Sequence, residues 1–156
     1  MMYESVIREF AERTRKNLHV IEELQNNGEE AYEVTQLVNS MLGLLVFPRE
    51  RFVEHIPETP LSELQAGGWP IPRVSGGFPQ ARDLRELVRY LRNAIAHFNI
   101  EFIGDGTNQI SLLRVWNTHP RTRSKTWEAE IGVSELRAIS SRFIDLLLMG
   151  DQQPTH

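Results

Sequence analysis

Outside the stretch from Pro48 to Gln80, apolar residues recur at intervals of three and four up to residue 97, and from residue 99 to residue 131 they alternate with polar ones. A period near 3.6 buries one face of a helix and a period of two buries one face of a strand, so the chain must pass at His97 from packed helices to a short antiparallel unit. A first helix carries Tyr3, Ile7, Phe10, Leu18, Ile21 and Leu24 and stops at Asn26-Asn27-Gly28. A second runs from about Glu30 to Phe47 with Val34, Leu37, Val38, Met41, Leu42 and Leu45 inward, and Pro48 ends it by withholding a backbone donor. The third, Gln80 to about Phe98, is the most regular. A last helix, with Ser134 as N-cap, turns Leu136, Ile139, Phe143, Leu146 and Leu147 inward and ends at Gly150. Two or three strands are expected only between Asn99 and Ile131, with turns at Gly104-Asp105-Gly106 and at Asn117 to Ser124. The expectation is a mainly α fold: an up-and-down helical bundle with a small antiparallel β insertion between the last two long helices.

With 156 residues, 40% hydrophobic and 24% charged, the chain can bury a core as one domain over 1–150, followed by a C-terminal tail at 151–156. Cysteine is absent, which excludes disulfides, thiolate chemistry and finger-type zinc sites. The opening MMYESVIREFAERTRK has no continuous apolar segment of a signal peptide, and the longest apolar run, Met41 to Phe47, falls far short of the roughly 20 residues a membrane helix needs. No membrane association and a cytoplasmic location are expected. A net charge of −4 means that any nucleic-acid contact must rest on a local basic patch. Between Pro48 and Gln80 six prolines and four glycines break every pattern, so the loop 57–79 should be a long connection, with Trp69 and Phe78 packing on something.

The helix from Gln80 to Phe98 sorts its side chains into sectors. Leu84, Leu87, Val88, Leu91, Ala94, Ile95 and Phe98 form the core face; Arg82, Arg85, Arg89 and Arg92 form a basic stripe; Asp83, Glu86, Tyr90, Asn93 and His97 form a polar one. Asn93 and His97 stack four apart, whereas Arg92 lies around the helix, so one helix offers the three groups only loosely and a second copy across an interface would complete the cluster. Spacing alone is weak: arginine and histidine with four to six residues between them occur four times, and exposed arginine rows are usually solvated surface. A histidine in a last turn also complements the helix dipole. Only Arg92 and His97 lie at the end of an amphipathic helix with a polar residue directly after the arginine.

Leu91-Arg92-Asn93-Ala94-Ile95-Ala96-His97 resembles the R-x4-6-H motif of HEPN domains, and YEVTQLVNSMLGLLVFP and LRELVRYLRNAIAHFNIEF resemble a branch of small stand-alone bacterial HEPN proteins. The resemblance implies a HEPN-like helical bundle, usually a homodimer whose two motifs meet at the interface. It also implies a metal-independent endoribonuclease of the toxin or phage-defence type, with RNA and an antitoxin protein as partners. Other members only bind nucleotide, RNA or a protein. Asn99 stands where toxins paired with nucleotidyltransferase antitoxins often carry a tyrosine, so silencing by modification of that tyrosine is not available here.

Metal-free RNA cleavage uses the ribose 2′-hydroxyl as nucleophile, so the protein must move protons and stabilise the phosphorane. His97 suits acid–base transfer, worth roughly 10²- to 10⁴-fold, and Arg92 suits the phosphorane, worth roughly 10²- to 10³-fold per donor. Asn93 would orient substrate or histidine, and Arg89, Tyr90 and Arg85 on the same helix are candidate substrate contacts. No cofactor motif is present: the five histidines show no ligand spacing, and no GxxxxGK[ST] or GxGxxG occurs. The hairpin 114–127 holds four basic residues, two tryptophans and no acid. It would suit single-stranded RNA, but the simpler expectation is that both tryptophans pack inward and the charges solvate the tip.

Overall fold

The computed structural model describes residues 2–46, 54–106 and 109–149. The helix stops assigned to Pro48 and Gly150 and the tail 151–156 lie outside them. Helix α1 (Met2–Asn26) ends where Gly28 turns left-handed at φ +81°, as the Asn-Asn-Gly signal requires. It packs on α2 (Glu33–Val46) and on the last helix, and Phe10 and Leu24 of its apolar series remain 42% exposed because nothing lies beyond this outer helix among the described residues. Leu37, Met41, Leu44 and Leu45 make α2 the central helix, buried against its neighbours. The buried Glu33 carboxylate at its start pairs with Arg137.

From residue 54 onward the proline- and glycine-rich segment is a packed wrap. It contains a short helix α3 (Leu61–Ala66), buries Ile56, Leu61, Leu64 and Pro72, leans Trp69 and Phe78 on the core and supplies a strand, β1 (Arg73–Val74). Helix α4 (Leu84–Ala96) follows, capped by Asp83, whose carboxylate accepts from the Glu86 N–H at 2.8 Å. Strands β2 (Ile100–Gly104), β3 (Ile110–Thr118) and β4 (Lys125–Gly132) come next. The last element among the described residues is α5 (Val133–Met149), which starts directly from β4, so Ser134 sits within its first turn instead of capping it.

The expectation of a mainly α bundle with a small insertion is wrong. Among the described residues the strands form one four-stranded antiparallel sheet in the order β1-β4-β3-β2. The fold is mixed α/β. Leu113, Val115, Trp127, Ala129 and Ile131 turn one sheet face into the core beneath α4 and α5, so the sheet supplies a wall of the core. Strand β1 also overturns the confinement of strands to 99–131. Arg73 and Val74 pair with Glu130 and Ala129, giving β4 a second partner from a segment that reads as a loop because only two residues are needed.

Candidate functional site

Periodicity places six of the seven core positions of α4 correctly: Leu84, Leu87, Val88, Leu91, Ala94 and Ile95 are buried. Phe98 is not. The helix stops at Ala96, and the N–H groups of Phe98 and Asn99 donate back to the carbonyls of Ile95 (3.1 Å) and Ala94 (2.8 Å), the two hydrogen bonds of a Schellman cap. That cap needs a left-handed residue, usually glycine, and here Phe98 takes φ +55°, which swings its ring off the core face to 69% exposure. No periodicity signal marks this, because the apolar series runs on to Phe98 as though the helix did.

Arg92, half-buried, and Asn93 and His97, exposed, face away from the core, and among the described residues no ion pair or side-chain hydrogen bond engages them. Helical geometry sets Arg92 and His97 about 140° apart around the axis and about 7.5 Å along it, whereas Asn93 and His97 share a face. The other candidates divide. Arg85 is tied into the wrap, its Nε donating to the Ile56 carbonyl at 2.8 Å and its terminal nitrogen pairing with Glu58. Tyr90 lies with its ring centroid 5.1 Å from that of Trp127 and donates to Glu86 at 3.1 Å. Burial, then that bond, raises its pKa above 10.0. Arg89 is exposed and makes no ion pair.

The α4–β2 turn is pinned to the sheet, where the Asn99 carbonyl accepts from the Trp116 N–H at 3.2 Å. Since Ile100 pairs with Val115 and β3 continues to Thr118, this turn and the β3–β4 hairpin tip open from the same end of the sheet. Asn117 and Trp127, opposite each other in the register, are both buried there, with the Asn117 Oδ1 and Trp127 Nε1 atoms lacking a hydrogen-bond partner. The expectation that both tryptophans turn inward fails for Trp116. It opposes Glu128, one residue out of phase with the Trp127 pair, and so lies on the outer face, with the Lys125 ammonium 5.0 Å from its ring centroid. At the tip the His119 Nδ1 accepts from the N–H groups of Arg121 (3.2 Å) and Thr122 (3.4 Å), and Arg123 is left-handed at φ +57°.

Among the described residues no three His, Asp or Glu side chains are grouped to hold a metal ion, and no helix is long and apolar enough to cross a membrane. No curated protein and no solved structure gives a significant match to the chain. A family model described as HEPN pEK499 p136 matches residues 1–153, the whole span in which the α4 motif, its cap and the sheet beneath it are found. The chain therefore belongs to the HEPN superfamily, in the HEPN pEK499 p136 family.

Proposed function

We propose that the protein is a metal-independent endoribonuclease of the toxin or phage-defence type, working as one domain over 1–150 and as a homodimer whose two α4 helices share a composite site. HEPN domains are commonly RNases or nucleotide-binding modules and often act as dimers, and the membership carries that much. The observation that supports the enzyme reading is that Arg92, Asn93 and His97 are all present, solvent-facing and uncommitted on α4. Residues that served only to hold the helix would be expected to have partners, as Arg82 and Arg85 do.

In this reading His97 takes the proton from the ribose 2′-hydroxyl or delivers one to the leaving 5′-oxygen, and Arg92 donates paired hydrogen bonds to the phosphorane. Asn93 orients the imidazole or the scissile phosphate, and Arg89 meets a flanking phosphate. The products are 2′,3′-cyclic phosphate and 5′-hydroxyl ends, and DNA resists for want of the nucleophile. Because Arg92 and His97 diverge around one helix, a two-fold contact near the motif would let each subunit supply part of the set.

The test is wild type against His97→Ala on end-labelled RNA with chelator present. Cleavage by wild type alone, with cyclic phosphate ends, is expected, and Arg92→Ala should lose comparable activity and Asn93→Ala less. If wild type cuts no RNA but binds RNA or nucleotide as His97→Ala does, the protein is instead a non-catalytic binding module.

A further inference from the structure

Thirteen arginines lie among the described residues. Eight stand in ion pairs and Arg142 donates to the Gly67 carbonyl; the four with neither an ion pair nor a side-chain hydrogen bond are Arg89, Arg92, Arg121 and Arg123. Arg89 and Arg92 lie on α4, Arg89 at its middle and Arg92 one turn before its end, and Arg121 and Arg123 lie on the β3–β4 tip, which opens from the end of the sheet where α4 stops. In a chain of net charge −4, the unneutralised guanidinium groups among the described residues are thus confined to α4 and to the hairpin tip at the end where it stops.

Phe98 stands at that end of the sheet too. It is an apolar ring 69% exposed, held out by a left-handed backbone that glycine would adopt without strain, in the residue next to His97. An exposed aromatic ring at the same end of the sheet as guanidinium groups without a carboxylate partner has the composition of a single-strand nucleic-acid seat, where bases stack and phosphates pair.

We propose that Phe98 is the stacking platform for one base of a single-stranded RNA and that Arg121 and Arg123 hold its flanking phosphates, so that the hairpin tip and the α4 cap together seat the substrate beside His97. This rests on the ribonuclease reading and adds the residues that position the strand. Phe98 is a positioning residue, and it takes no part in proton transfer.

The test measures binding of a fluorescent single-stranded RNA to the full chain carrying His97→Ala, which prevents turnover. Adding Phe98→Gly should weaken binding roughly 5- to 150-fold, the worth of one stacked base, while Phe98→Trp retains it. Adding Arg121→Ser with Arg123→Ser should reduce the slope of log affinity against log salt by about 1.4, at about 0.7 per single-strand phosphate. If RNA is bound and wild type cuts it, but Phe98→Gly and the double arginine variant bind like their parent, this proposal fails and the ribonuclease reading stands. If Phe98→Gly changes the oligomeric mass together with affinity, Phe98 is a subunit contact and the proposal fails. If the parent binds no RNA and wild type cuts none, both readings fall.

Discussion

Replacing Arg137 by methionine should cost more stability than its half-exposed position suggests. The Arg137 side chain is 42% exposed, but the Glu33 carboxylate it holds is 7% exposed, and this pair joins the start of α2 to α5. Removing the arginine leaves a buried anion without its counter-charge. A fully buried pair broken in this way costs about 3–5 kcal/mol and an exposed one about 0–1 kcal/mol. Glu33 also sits in the first turn of α2, where the helix dipole returns about 0.3–1 kcal/mol to an anion. Between these limits the loss should be about 1.5–3 kcal/mol. With an unfolding entropy near 2.1 cal/mol/K per residue, this chain should melt about 4–9 °C lower. Tryptophan fluorescence during urea unfolding reads the change as a shifted midpoint with unchanged slope. Glu33→Met with Arg137→Met should recover to within about 1 kcal/mol of wild type, because an apolar pair leaves no orphaned charge. If Arg137→Met melts like wild type, the carboxylate is solvated and the reasoning fails. If the double variant is as unstable as the single one, packing of the arginine stem accounts for the loss instead.

Asp83→Ala should lower stability by about 1 kcal/mol by orphaning the Glu86 N–H, with the helical circular dichroism signal at melting as the readout; no loss would mean that water replaces the cap. Tyr90 should make stability fall at alkaline pH. Its pKa is raised in the fold, so the neutral phenol's contribution is complete below the unfolded value near 10 and is lost as pH rises through the folded value. Tyr90→Phe should lose about 1 kcal/mol at neutral pH and show a shallower decline above pH 10, and an unchanged decline would place the titration elsewhere.

The motif itself was legible from local order. The run from Arg92 to His97, six inward positions of α4 and the central place of α2 each follow from propensity and a 3.6-residue period, which act between neighbours in the chain, whereas Asp83, read as a position inside the helix, caps it. Family membership was legible for the same reason, since Leu91 to His97 carries it in consecutive letters. What those letters did not carry was anything set by an element distant in sequence. The two residues of β1 become a strand only because β4 offers them an unpaired edge, and Trp116 and Trp127 part company only because the hairpin register puts them out of phase.

The candidate site divides along the same line. Sequence spacing put Arg82, Arg85, Arg89 and Arg92 in one stripe of equals. The folded chain neutralises Arg82 with its own helix neighbour and Arg85 with the wrap, leaves Arg89 and Arg92 open, and brings Arg121 and Arg123 to the same end. Phe98 shows the limit most plainly. Its letter continues an apolar series, yet the chain must leave α4 in time for Ile100 to meet Val115, and the left-handed turn that accomplishes this puts the ring outside. The sequence determined which residues were present and which helix carried them. Which of them remained free to act was decided by the tertiary structure, because a charge or a ring is spent or spared by partners that only folding brings within reach.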